Sequence, residues 1–203
     1  MTISEMSLLN TFRITPERHR DERGSFIEVV RSNALSEVIG YEFTVRQANC
    51  SLSVRNTIRG IHTTALPPGQ AKLVTCVSGS ILDVAVDLRV GSPTFGQYEI
   101  TRQDADTGVS VYLPDGIGHA FIALTDNACV NYLCSEKYVP GTMIEIDPLD
   151  PDIGIPWNLT TEPVMSDKDA AAPSLKTAVA RGMLPTYEQC LAHYEALRRR
   201  SAA

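Results

Sequence analysis

Arg59, His62 and Lys72 fall within IRGIHTTALPPGQAK, residues 58–72, on short extended segments around a Pro-Pro-Gly turn. Three side chains able to carry charge and set this close together point to convergence on a metal, a phosphate or a proton that moves. The chain has four histidines, His19, His62, His119 and His193. His193 falls on a terminal helical stretch and His19 in the charged run ERHRDERG, so both read as surface residues. His62 and His119 each stand beside a glycine, Gly60 and Gly118, at the edge of an extended segment. One histidine per strand is a poor set for a metal. A metal-binding cupin pattern carries His-x-His on one strand, then a carboxylate and a third histidine, whereas Thr63 and Thr64 follow His62 here. Acid–base chemistry fits better. An imidazole, with an ordinary pKa of about 6.5, takes a proton near neutral pH when a carboxylate fixes its tautomer. A lysine stabilises negative charge developing on an oxygen, and a buried tyrosine can return the proton. His62, Lys72 and Tyr132 have the types for these roles, although spacing alone does not set Tyr132 opposite His62.

The elements that must hold these residues read as strands. Between Phe43 and Tyr138, short runs rich in Val, Ile, Thr, Tyr and Phe are punctuated by Gly, Pro, Asn and Asp every ~8–12 residues, the pattern of an all-β sandwich or barrel. A cupin-type double-sheet jelly roll suits that spacing and leaves room for a small ligand between the sheets. Ser78-Gly79-Ser80 reads as a hairpin turn. Beyond it, Asp83 and Asp87 share one face of a strand, where an inward aspartate needs a partner. After DPLDPDIGIPWNL the chain changes character, with two helical stretches broken at Gly182 and Pro185. In the second, Leu191, Tyr194 and Leu197 repeat at threes, and RRRS puts cations where the helix dipole favours them. The expectation is one domain over residues 1–203, with a β core over about 12–150 and a short C-terminal helical extension over about 151–203.

Composition narrows the partners. The 203 residues carry a formal net charge of −6 with a pI near 5.2, against a large nucleic-acid footprint. Five cysteines, Cys50, Cys76, Cys129, Cys134 and Cys190, are odd in number and include no CxxC, so they read as small buried hydrophobes. No apolar run approaches the ~20 residues of a membrane span, and Met1–Ser7 lacks the start of a secretion signal, so a cytoplasmic location is expected.

Several motifs in order carry a family resemblance: RGIH, PPGQAKLVTCVSGSILDVAVDLRVGSPTFGQ, LPDGIGHAF, NYL, DPDIGIPW and MSDKDAAAP. Together they make the chain similar to the dTDP-4-keto-6-deoxyhexose 3,5-epimerases of the rhamnose pathway and their relatives in antibiotic deoxysugar biosynthesis, from about Phe12 to Pro173. The resemblance implies His62 as the base, Asp169 as its partner, Lys72 at the sugar's 4-keto oxygen and Tyr132 as the acid on the opposite face. It also implies nucleotide-sugar contacts from Arg59, at the diphosphate, and from His119. Asp83 would line the pocket, Tyr138 would stand near the nucleotide, and Gln47 and Asn49 would lie on a strand beside it. Arg23, Phe26 and Glu28 would come from a neighbouring subunit, which implies a homodimer. The reaction needs no cofactor and no metal, and its substrate is a dTDP-linked 4-keto-6-deoxy sugar, with no nucleic acid or membrane as partner.

Two features depart from the family pattern. Thr63 stands where many members carry an aromatic residue, and the ARGMLPTY tail resembles the antibiotic-sugar branch. Inversion at C5 is expected, with C3 as a second position. A 3,4-ketoisomerase, a C3-only epimerase and a non-catalytic sugar-nucleotide binding module are the competing readings.

Overall fold

The computed structural model describes residues 1–201. Its N-terminal part holds strands β1 (Thr2–Glu5), β2 (Phe12–Thr15), β3 (Arg18–Asp21) and β4 (Gly24–Ile27), then helix α1 (Ser32–Ile39). The central strands are β5 (Gln47–Ser53), β6 (Ile58–Thr64), β7 (Lys72–Ser78), β8 (Ser80–Asp87) and β9 (Tyr98–Asp104). They continue with β10 (Ser110–Leu113), β11 (Ile117–Ala123), β12 (Ala128–Cys134) and β13 (Met143–Glu145). Helices α2 (Asp167–Ala170), α3 (Leu175–Ala180) and α4 (Tyr187–Ser201) follow.

The strands form a double-sheet jelly roll. One sheet runs β1-β2-β10-β7-β12-β5, the other β13-β6-β11-β8-β9, and β3 pairs with β4 in a separate hairpin. Period-2 geometry sorts the side chains. From β8 and β11, Ile81, Ala85, Ile117, Phe121 and Ala123 meet Val74, Cys76, Val111 and Val130 of the facing sheet. Their neighbours Val84, Val86, Ala120 and Ile122 point the other way, onto Ile153, Trp157, Leu175 and Ala178 of the C-terminal loop and α3. Because both faces of the five-stranded sheet are covered, IGHAFIA is buried along its whole length. The outer face of the six-stranded sheet packs Ile14, Leu73 and Tyr112 under Leu35 and Ile39 of α1 and Cys190 and Tyr194 of α4. A reciprocal cap starts α4: the Gln189 N–H donates to Thr186 Oγ1 at 3.1 Å and the Thr186 N–H donates to Gln189 Oε1 at 2.8 Å. Arg198, Arg199 and Arg200 close that helix, as the dipole favours.

Several expectations are corrected. Ser78-Gly79-Ser80 is not a hairpin: β7 and β8 belong to different sheets, so Gly79, with φ 71°, turns the chain from one sheet into the other. A Cβ there would meet Thr125 Oγ1 at 2.3 Å, so the corner needs glycine on two counts. The β structure begins at Thr2 rather than near Phe12, because β1 extends the six-stranded sheet through β2. On α4 the buried positions are Cys190 and Tyr194, four apart, and Leu191 is exposed. Cys76, Cys134 and Cys190 are buried as expected, but Cys50 is exposed and Cys129 half-buried. His193 is half-buried, with Nε2 3.5 Å from Asp115.

Asp87 finds its partner in Arg89. Both side chains are fully buried, and the Arg89 Nη2–H donates to Asp87 Oδ2 at 2.7 Å while Nε–H donates to Oδ1 at 2.8 Å. The hydroxyls of Ser92 and Thr94 each donate to Oδ2 at 2.6 Å, and the Leu9 carbonyl accepts from Arg89. This cluster pins the end of β8 to the N-terminal segment.

Candidate active site

On a regular strand, Arg59 and His62 would face opposite ways, since they are an odd number of residues apart. A bulge in β6 changes that. His62 is the register partner of His119 and Arg59 that of Phe121, so three steps on β6 match two on β11 and both side chains turn inward. Gly60 makes the bulge, with φ 116° and a hypothetical Cβ only 2.4 Å from the His119 carbonyl oxygen. A glycine inside a strand run is the sequence signal for such a bulge.

His62 meets Asp169 across 107 residues of chain, with Nε2 2.7 Å from Oδ1. Asp169 sits in α2, which is capped by Ser166: the Asp169 N–H donates to Ser166 Oγ at 3.1 Å. Burial works to raise the Asp169 carboxyl, but the His62 hydrogen bond and charge, the Gly60 N–H and Ser166 together hold it below its ordinary range. An ionised carboxylate only accepts, so His62 donates through Nε2–H and keeps the lone pair on Nδ1. That is the tautomer of a general base.

The facing sheet supplies the other groups. Lys72 opens β7, and Tyr132 of β12 shares its inward face with Val130. Burial pushes the Lys72 ammonium below the usual lysine range, opposed by Cys134 and Asp115. Burial also raises the Tyr132 phenol, opposed by its hydrogen bond with Ser51, so the phenol carries its proton at neutral pH. The two hydroxyl oxygens of Tyr132 and Ser51 are 3.2 Å apart. His62, Arg59, Lys72, Tyr132, His119 and Asn49 line one cavity of about 340 Å³ between the sheets, within the range of small-ligand pockets. The Arg59 guanidinium donates to Ser53 Oγ and the Leu52 carbonyl, which holds it at the β5 side.

Other expected residues stand elsewhere. Asp83 does not line the cavity: it is buried behind His119, with Oδ2 2.6 Å from Nε2 of that ring, and so orients a residue that does. Gln47 and Tyr138 lie just outside, linked to the lining. Gln47 Oε1 accepts from the Tyr138 N–H at 2.8 Å, and its Nε2–H donates to Asn49 at 3.0 Å. Arg23, Phe26 and Glu28 are not brought to the site of this chain. They lie in or beside the β3–β4 hairpin, where Arg23 pairs with Asp21, Glu28 with Arg31, and Phe26 is 69% exposed. Among the described residues, no three His, Cys, Asp or Glu side chains converge to hold a metal ion.

Ser51, Gln70, Phe121, Met143, Glu145 and Lys168 also line the cavity and escape sequence reasoning. Lys168 adjoins Asp169 in SDKDA and Gln70 lies two residues before Lys72 in the turn between β6 and β7, so their proximity was available; the others lie on strands whose inward face depends on long-range pairing.

Residues 5–177 match the family described as dTDP-4-dehydrorhamnose 3,5-epimerase. A Mycolicibacterium smegmatis protein of that name is 47% identical over 199 residues, covering 98% of each chain. The solved structure of the Mycobacterium tuberculosis rmlC epimerase superposes with a TM-score of 0.95 at 42% identity, covering 98% of this chain and 100% of that one. ChmJ, a 3'-monoepimerase from Streptomyces bikiniensis solved in complex with dTDP-quinovose, gives a TM-score of 0.92 at 45% identity, covering 95% and 98%.

Proposed function

The chain belongs to the dTDP-4-dehydrorhamnose 3,5-epimerase family, and from that premise we propose that it inverts C5, and C3 as a second position, of a dTDP-linked 4-keto-6-deoxyhexose. It is an isomerase of the epimerase class. The observation that carries the assignment of roles is that His62 and Tyr132 stand on facing sheets and line the same cavity.

A C4 ketone acidifies the neighbouring C–H bonds, because the electron pair left at carbon delocalises onto the carbonyl oxygen. His62 Nδ1 takes the proton from one face, and Asp169 stabilises the imidazolium. Lys72 donates to the enolate oxygen, where a cation in a water-poor cavity acts most strongly. Tyr132 then gives its proton to the same carbon from the other face, and inversion results. Electrons and protons balance without an oxidant, and the two side chains exchange their protons with solvent before the next turnover.

Arg59 serves the diphosphate, whose oxygens match its planar fork. His119, oriented by Asp83, contacts the nucleotide sugar, and Asn49, Gln47 and Tyr138 form the nucleotide end. Arg23, Phe26 and Glu28 reach the site of a second copy in a homodimer. Supporting that assembly, Phe26 is bared on a detached hairpin, and Leu52 is 64% exposed on the edge strand β5 with Val54 and Val77 bare nearby. The whole chain acts as one epimerase domain in antibiotic or related deoxysugar synthesis. Among the described residues no helix is long and apolar enough to cross a membrane, and a nucleotide-linked substrate fits the cytoplasm.

Product analysis tests the reading. With dTDP-4-keto-6-deoxyglucose, NMR of the product is expected to show inverted configuration with the carbonyl still at C4. A carbonyl at C3 would identify a ketoisomerase, and unchanged sugar bound to the protein would identify a binding module.

A further inference from the structure

Lys168 and Asp169 are consecutive in α2, and they grip two residues that are themselves partners across the sheet. Asp169 holds His62 on β6, Lys168 Nζ is ion-paired with Glu145 Oε1 on β13, and Glu145 is the register partner of His62. Neither α2 nor β13 is secured by its own length. The helix has four residues, too few to persist without tertiary contacts, and β13 is a three-residue edge strand. Successive side chains on a helix diverge by roughly 100°, so two anchors from adjacent residues block both sliding and rotation of α2. The Glu145 side chain is mostly buried, at 17% exposure, while Lys168 is 64% exposed and free to follow it.

We propose that Glu145 is a positioning residue, whose ion pair with Lys168 sets where α2 rests on the β6–β13 edge and so sets the Asp169 carboxylate on His62. The inference rests on the reading of His62 and Asp169 as base and partner. Glu145 touches neither of them by hydrogen bond. It acts through the helix, and a displacement of about 1 Å at such a pair costs on the order of a hundredfold in rate. Glu145 and Lys168 both line the cavity, so the test reads KM as well as kcat to separate positioning from direct contact with the sugar.

A double-mutant cycle tests this, with kcat and KM read from deuterium exchange into dTDP-4-keto-6-deoxyglucose. Glu145→Gln keeps the shape and loses the ion pair; kcat is expected to fall about tenfold with KM held within about twofold. Glu145→Asp, which Lys168 can still reach, is expected to recover kcat to within about threefold of wild type. In an Asp169→Asn background Glu145→Gln is expected to change kcat less than about twofold, since the group it positions is gone. Wild-type kcat in Glu145→Gln, or the same tenfold loss in both backgrounds, would overturn the proposal. Asp169→Asn at wild-type kcat would instead remove Asp169 from the base, and the role of Glu145 with it. If Asp169→Asn is too slow to time, the low-field proton resonance of the His62–Asp169 hydrogen bond decides without turnover. It is expected to weaken or move upfield in Glu145→Gln, and an unchanged resonance would overturn the proposal.

Discussion

His62 and Tyr132 reach one cavity from opposite sheets, the first held by Asp169 at 2.7 Å and the second by Ser51 at 3.2 Å. The two side chains therefore stand on different walls of the cavity rather than sharing one, and each has a polar partner that suits the role proposed for it. The Asp169 carboxylate favours a proton-accepting imidazole; the Ser51 hydroxyl can donate to the phenolate that forms when Tyr132 gives up its proton.

Separation of the two roles makes Tyr132→Phe informative. The enolate still forms, so deuterium is expected to enter the substrate in deuterated water while inversion falls at least about a hundredfold. Inversion at the wild-type rate would exclude Tyr132 as the acid.

Gly60 has no tolerance for a side chain. Gly60→Ala places a methyl 2.4 Å from the His119 carbonyl oxygen at φ 116°. A stability loss of at least about 2 kcal/mol in chemical denaturation is expected, together with loss of activity, because the bulge that aligns Arg59 with His62 is displaced. A variant with wild-type stability and rate would contradict the role given to the bulge.

Arg89→Met leaves Asp87 buried without its cation, and a loss of about 3–5 kcal/mol at pH 7 is expected. In the wild type, burial works to raise the Asp87 carboxyl, but Arg89, Ser92 and Thr94 hold it below its ordinary 3.8. A depressed carboxyl stabilises the fold above pH 3.8, and that contribution is lost as pH falls toward the folded-state value. The gap between wild type and variant is therefore expected to narrow below about pH 4 in denaturation curves. A gap that widens with acid would show that the pair is not what stabilises this corner.

Leu52→Glu puts a charge on the apolar edge proposed to meet a second copy. Sedimentation is expected to show a dimer for the wild type and a monomer for the variant, with KM raised because Arg23, Phe26 and Glu28 leave the partner's site. A wild-type monomer, or a dimer that persists unchanged, would place the interface elsewhere or nowhere.

Much of the β architecture is legible in the residues, because sheets covered on one or both faces write their pattern into every second position. The break at Gly182 and Pro185 is equally local, and α3 and α4 fall on either side of it. Ser78-Gly79-Ser80 is different. The same turn chemistry serves a hairpin and a corner between sheets, and only the pairing of β8 with β9 and β11 distinguishes them. The His62–Asp169 contact spans 107 residues and has no local signature, so family resemblance alone brings Asp169 into view. Glu145 stays hidden for the same reason. Its meaning comes from a register with His62 that no short-range pattern encodes.

The most direct test of the central claim is deuterium incorporation from deuterated water into dTDP-4-keto-6-deoxyglucose, read by NMR at C5 and C3 separately, for the wild type and His62→Asn. Wild-type label at C5, with or without C3, and its loss by at least about a thousandfold in His62→Asn, is the predicted result. Label entering the His62→Asn variant at the wild-type rate would remove His62 as the base, and no label in the wild type at either carbon would contradict epimerisation of this sugar.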